Sequence, residues 1–324
     1  MDEGSPIERL QAAHIARRYF LGGQTKSLIA EEFGLSRFKV ARLIEDSVKQ
    51  GIVKIEIDMP AEVDVGLSQE LEQRFGLERA VVVVSMDPGG DLLREQLGKA
   101  GAQLVAELVT PEDVIGLSWG RTLEQLAWHL PPLPRCPVVQ IVGGSPVLKL
   151  SASPQDLVRQ FGERTGGLMF PLHAPMFVED AEVATGLRKA PLIASTLKLY
   201  ASLTLAIVAI GSWSPPMSCL YDSLDSPARI ALRRQGACAD LCTLLLGQAG
   251  EVIDTGFYSR AISITREELE QVPKVLAVAG GLEKSEAVHA ALRSGLLTGI
   301  VTDSIVARAI LDTDSAAGRP GGAH

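Results

Sequence analysis

The sequence predicts two domains of different class. An all-α, winged helix-turn-helix domain spans residues 1–57, an α/β Rossmann-like domain spans residues 58–312, and residues 313–324 form a disordered tail rich in Gly, Ala and Pro. Three observations carry this expectation. The stretch from Lys26 to Glu45 places a small residue, a Gly and a β-branched residue where two helices would cross at a tight turn. From Ala80 onward, apolar runs alternate with helical patterns, which implies an open parallel sheet covered on both faces. Finally, 324 residues with 46% hydrophobic content exceed what one small domain needs.

In chain order, Ile7, Leu10, Ile15, Tyr19 and Phe20 give a first helix over residues 7–21, stopped by Gly22-Gly23. Thr25 is placed to cap a second helix, Lys26 to Phe33, with Leu28, Ile29 and Phe33 on its buried face. Gly34 suits a turn of positive φ, and Ser36 suits the cap of a third helix running to Gln50, whose apolar face is Val40, Leu43 and Ile44. Ile52 to Ile57 alternates and reads as one arm of a wing. The third helix carries Arg37, Lys39 and Arg42 on its polar face, the composition of a duplex-DNA reader: Arg pairs with guanine edges, while Lys26, Lys39 and Ser36 hold phosphates. Phe38 has two readings, contact with a thymine methyl or packing against the first helix of the pair.

The charge divides unevenly. The whole chain is at −8, yet residues 1–57 hold nine Lys/Arg against eight Asp/Glu, so the acidity lies in the second domain. Local charge on a docking face matters more than the total. The chain starts with an acidic, polar segment unlike a signal peptide, and its longest apolar runs are too short to span a bilayer, so a cytoplasmic protein without a membrane partner is expected. Cys136, Cys219, Cys238 and Cys242 fit no zinc spacing and read as small buried residues; no metal or cofactor is expected.

Residues 67–75 form a linker helix. Strands then follow at 80–85, 113–117, 138–142, 168–170, 205–211, 240–246, 252–255, 275–281 and 299–302. Helices intervene at 92–108, 118–129, 154–162, 190–203, 227–234 and 283–293, and a last one runs over 304–311. In such a sheet ligands bind where strands end and helices begin. Ser118, Gly120, Arg121 and Thr122 offer amides, hydroxyls and a guanidinium to an anion. Gly143, Gly144 and Ser145 let an anion approach the backbone, and Gly280 and Gly281 do so beside Lys284. Asp240 is an acceptor for sugar hydroxyls, and His173 lies in a loop as a contact or a surface residue. Together these strand ends favour a small phosphorylated ligand.

The residues Ile29-Ala30, Gly34-Leu-Ser-Arg37, Val40, Arg42, Leu43 and Gly51-Ile-Val53 occur in the first domain. Gly116-Leu-Ser-Trp-Gly-Arg-Thr122, Val142-Gly-Gly144, Ala174-Pro175, Ile210-Gly-Ser212, Ala279-Gly-Gly281 with Lys284, and Thr302-Asp303 follow in the second. In this order they resemble the SorC family of sugar-responsive bacterial transcriptional regulators over nearly the whole chain. The resemblance implies an effector domain related to glucosamine-6-phosphate deaminase and ribose-5-phosphate isomerase, a sugar-phosphate effector, and homodimers or homotetramers on palindromic DNA operators. One segment departs from it: Gly236-Ala-Cys-Ala-Asp-Leu241 has Ala239 where the family usually has Gly, which is expected to narrow the pocket or alter the turn.

The expected function is a non-enzymatic regulator whose operator binding is set by a sugar or polyol, phosphorylated or not. The alternative is a sugar-phosphate isomerase or deaminase fused to a DNA-binding module, with Asp240 and Lys284 as the acid–base pair.

Overall fold

The structure, a computed structural model, describes residues 6–54, 62–85, 89–145, 153–253 and 255–317. The chain divides into two units, Met1–Pro60 and Ala61–His324.

In the first unit α1 (Pro6–Phe20), α2 (Lys26–Phe33) and α3 (Arg37–Lys49) close on a core of Ile15, Ile29, Ala30, Val40 and Ile44. The caps follow the chemistry of the sequence. Thr25 accepts from the Leu28 amide at 3.3 Å and Ser36 from the Lys39 amide at 3.2 Å. Between them Gly34 turns the chain at φ 63°, ψ 33°, in the left-handed region. Leu28 does not join the buried face: it is 55% exposed, because Ile29, Ala30 and Phe33 complete the stripe one, two and five positions on. Leu10 and Phe20 are exposed as well, and Ala12 and Ala16 fill α1's buried face instead. The expected wing strand is not seen where it is described: residues 52 and 53 form a bend, residue 54 has no regular structure, and residues 55–57 lie outside the described residues.

The second unit begins with α4 (Val65–Phe75), capped by Asp64 and ended by Gly76 in the left-handed region. Its main sheet holds β1 (Arg79–Val83), β2 (Ile115–Leu117), β3 (Val138–Gln140), β4 (Met169–Phe170), β5 (Leu205–Val208), β10 (Lys274–Val278) and β11 (Gly299–Asp303). All neighbours pair parallel in the order β1-β11-β10-β5-β2-β3-β4. The inner strands β2, β3, β5, β10 and β11 are buried almost throughout, as their largely apolar sequences require, whereas the edge strand β4 is partly exposed at Met169. Chain order reverses between β2 and β5: from β2 the chain works out to β4, then returns through β5 toward β1. That junction is the switch point at which ligand crevices open in sheets of this kind.

A second sheet was not expected. β6 (Ile210–Trp213), β7 (Pro216–Met217), β8 (Ala239–Leu241) and β9 (Leu244–Leu246) pair antiparallel in the order β7-β6-β8-β9. The apolar run 205–211 is therefore two strands. It breaks at Ala209, whose amide donates to the Ser118 hydroxyl at 3.1 Å, and the chain leaves the parallel sheet there. The stretch 240–246 is a hairpin, and Val252 makes only a single bridge, to Leu246.

Most predicted helices lie where expected: α5 (Asp91–Leu108), α6 (Arg121–His129), α7 (Pro154–Thr165), α9 (Pro191–Leu197, followed by a 3-10 turn), α11 (Ser226–Arg234) and α13 (Ser285–Arg293). Three short ones were not anticipated: α8 (Ala181–Lys189), α10 (Cys219–Ser223) and α12 (Arg266–Glu270). The last helix, α14 (Ser304–Ala317), runs past residue 311 into the expected tail; residues 318–324 lie outside the described residues.

Candidate effector cavity and polar helix face

A cavity of about 260 Å³ opens at the carboxyl ends of β2, β5 and β10, beside the β8–β9 hairpin and α10. Its size suits one small molecule. Ser118, Trp119, Gly120, Arg121 and Thr122, the turn from β2 into α6, form one wall. Gly120 occupies the N-cap position of α6 and supplies no side-chain acceptor. The amides of that first turn thus keep their partial positive charge beside the cavity. The Trp119 indole donates to the Val142 and Gly143 carbonyls at 3.2 and 3.1 Å, which fixes this wall to the end of β3.

Lys284 enters from the turn after β10. Its Nζ donates to the Ile210 carbonyl at 2.7 Å. Burial, reinforced by the positive charge of Arg121, pushes its pKa down to about 8, while Asp240 pulls the other way. On the opposite hairpin, Oδ1 of Asp240 accepts from the Trp213 indole at 2.8 Å and from the Ser218 hydroxyl. Burial pushes the Asp240 carboxyl up, against the pull of those two donors and of Lys284. Cys219 and Cys242 also line the cavity. Burial raises Cys219 to about 11, so it is a thiol rather than a nucleophilic thiolate at neutral pH. The hairpin tip is made by Cys242 and Thr243 at φ 50° and 72°, positions where Gly or Asn is usual. All four cysteines are free, and among the described residues no cluster of metal-ligating side chains occurs.

Of the predicted contacts, Ser118, Gly120, Arg121, Thr122, Asp240, Gly280 and Lys284 come together at this cavity, and Gly143, Gly144, Ser145 and Gly281 do not line it. The reason is that their amides and hydroxyl are used internally. The Gly143 amide donates to the Ile262 carbonyl at 3.0 Å and the Gly144 amide to the Ala174 carbonyl at 2.9 Å. A Cβ on Gly143 would lie 2.6 Å from the Pro175 carbonyl carbon, so that glycine serves a backbone crossing. The Ser145 and Ser223 hydroxyls share a hydrogen bond of 2.5 Å. The Gly281 amide donates to Asp303 at 2.7 Å, and the same carboxylate caps α14 through Ile305 and Val306. His173 is exposed and away from the cavity, and Ala239 is fully buried without lining it. Sequence reasoning did not single out Trp119, Trp213, Ser218 or Arg94 as site residues; all but Trp213 line the cavity.

In the first unit Arg37, Phe38, Lys39 and Arg42 are exposed on α3. Phe38 is 89% exposed, so it does not pack against α2. Arg42 lies 3.6 Å from Asp46, and Lys26 sits over the Tyr19 ring at 5.5 Å. Ser36 spends its acceptor on the cap and keeps its hydroxyl proton.

A doubly covered parallel sheet with one cation-lined cavity at its switch point, preceded by a three-helix unit, defines a ligand-binding α/β protein. Residues 60–312 match the family described as "Putative sugar-binding domain". The sorbitol operon regulator of Klebsiella pneumoniae is 30% identical over 310 residues, covering 92% of this chain and 96% of that protein. The transcriptional regulator LsrR of Enterobacter sp. (strain 638) is 29% identical over 306 residues, 92% of each chain. The crystal structure of the full-length sorbitol operon regulator SorC from Klebsiella pneumoniae superposes with a TM-score of 0.71 at 27% identity, covering 95% of this chain and 100% of that one. The chain belongs to this sugar-binding-domain family of SorC-type transcriptional regulators.

Proposed function

We propose that this chain is a bacterial regulator in which α2 and α3 form a DNA-reading helix-turn-helix and the cavity binds a sugar or polyol phosphate that sets operator affinity. The domains divide near residue 57, and the work is done in the cytoplasm, where the operator lies. The observation that carries the reading is the polarity of the cavity. The uncapped turn of α6, Arg121 and Lys284 line it, where a phosphate gains from helix dipole and full charges together. Asp240 lines the same cavity, held by two donors as an acceptor for hydroxyl groups. Relatives named for sorbitol and for deoxyribonucleosides agree with a carbohydrate ligand. A regulator rather than an enzyme is favoured because no His lines the cavity among the described residues and the cysteines there are protonated thiols. One reading helix contacts too few bases for a useful specificity ratio, so a homodimer or homotetramer on a palindromic operator is expected.

The test is a thermal-shift screen of the full chain against sugar and polyol phosphates and their unphosphorylated parents, followed by operator binding with and without the hit. A phosphorylated compound should raise the melting temperature, and Lys284→Ala should abolish its effect on DNA while sparing basal binding. Stabilisation by no phosphorylated compound, or normal release in Lys284→Ala, would show that the site is wrong.

A further inference from the structure

Arg94 lies on α5, and neither the strand-end motifs nor the family resemblance marks it. Its position is set by glycines. A Cβ on Gly98 would lie 2.7 Å from the Gln125 backbone carbonyl carbon, and one on Gly101 would lie 2.8 Å from Leu126 Cδ1. These two glycines let α5 pack directly on α6. Arg94 stands one turn before Gly98, and Thr122 nearly one turn before Gln125, so the same contact brings the Arg94 side chain to the start of α6. Both residues line the cavity. The Arg94 side chain is only 24% exposed, whereas its ion-pair partner, Asp91, is 99% exposed. An exposed partner three residues away on the same helix is a weak and exchangeable one.

We infer that Arg94 is a third cation of the phosphate site, one that leaves Asp91 for the ligand and so makes the cavity select a phosphate dianion. This rests on the anion site proposed above and adds a residue to it. Without ligand, Arg94, Arg121 and Lys284 repel one another: both arginines act on Lys284 to favour its neutral form. A bound dianion relieves that repulsion, and guanidinium groups suit it because their fork matches two phosphate oxygens. Arg94 also gives the ligand a hold on α5, an element that the α6 turn and the β8–β9 hairpin do not include.

The probe is inorganic phosphate, titrated against the full chain by thermal shift and calorimetry. Arg94→Ala should weaken its apparent Kd by about tenfold, the loss of one charge-assisted contact. Asp91→Ala should bind phosphate as well as or better than the parent, because it removes the competitor and is too exposed to matter for folding. Parental affinity in Arg94→Ala, alongside lost affinity in Arg121→Ala, would overturn the assignment and leave the anion site standing. Weakened binding in Asp91→Ala would overturn the exchange of partners. Failure of phosphate to bind the parent chain would overturn both the anion site and this extension of it.

Discussion

Gly211 lies directly across the β6–β8 ladder from Asp240, and a Cβ added to it would sit 2.6 Å from the Asp240 carboxyl carbon. The missing side chain leaves room for the carboxylate, which the Trp213 indole and the Ser218 hydroxyl then hold in place. Gly211→Ala should therefore act as a displaced acid rather than a lost one. Overpacking of this kind costs about 1–3 kcal/mol, and the ligand response should fall with it. Asp240→Asn keeps the shape and removes the charge, so it should lose response with less loss of stability. Urea midpoints and ligand-induced melting shifts for the two variants check this; equal stability in Gly211→Ala and the parent would contradict it.

Lys284 links the site to pH. Its folded pKa of about 8 lies below the ordinary 10.5. Between those values the unfolded chain carries a proton that the folded chain has released, so stability rises with pH across that window. A charged Lys284 is thus a cost to folding below pH 8, which a bound anion offsets. Ligand affinity should run the opposite way, falling as pH rises through about 8, and binding near that pH should take up protons. Calorimetry in buffers of different ionisation enthalpy measures the uptake. Lys284→Met should be more stable than the parent at pH 7, with the gap closing toward pH 10; a constant gap would count against the burial argument.

The cap of α3 should matter to the first unit alone. Ser36→Ala removes the acceptor for the Lys39 amide, which typically costs about 0.5–2 kcal/mol. Fraying of α3 should weaken DNA binding while the ligand-induced melting shift of the second unit stays as in the parent. Amide exchange resolved along the chain tells the two apart.

How far the sequence reached depends on the kind of signal. Thr25, Gly34 and Ser36 act through their own neighbours, so the first unit was legible from local chemistry. The parallel strands were legible because burial on both faces demands unbroken apolar runs. The second sheet was not, for two reasons. Residues 205–211 read as one apolar run although Ala209 departs to meet Ser118, a partner 91 positions away. The hairpin turn at Cys242-Thr243 adopts positive φ without the Gly or Asn that would announce it. At the cavity, Gly143-Gly144 and Gly280-Gly281 looked alike as glycine pairs, yet only Gly280 lines the site, since Asp303 claims the Gly281 amide from a remote strand. Arg94 carried no motif at all; only the Gly98 and Gly101 contact with α6 brings it to the cavity.

The open question at Phe38 has a structural answer and a consequence. With 89% of its surface exposed, it contributes little to the first unit's core, so Phe38→Ala should leave stability within about 0.5 kcal/mol of the parent. It sits among Arg37, Lys39 and Arg42, all exposed, on the helix proposed to enter the major groove. An apolar ring in a cationic face matches the one apolar feature of that groove, the thymine methyl. An operator should first be selected from random DNA with the full chain. Replacing each of its thymines in turn by uracil removes a methyl group and leaves base pairing intact. The parent should lose affinity at one position per half-site, and Phe38→Ala should lose affinity for the thymine operator but show no further loss with uracil there. Parallel Arg37→Ala and Arg42→Ala variants should instead cost about 1–3 kcal/mol at guanine positions, if either reads a base edge. Equal uracil penalties in the parent and in Phe38→Ala would show that the ring reads nothing.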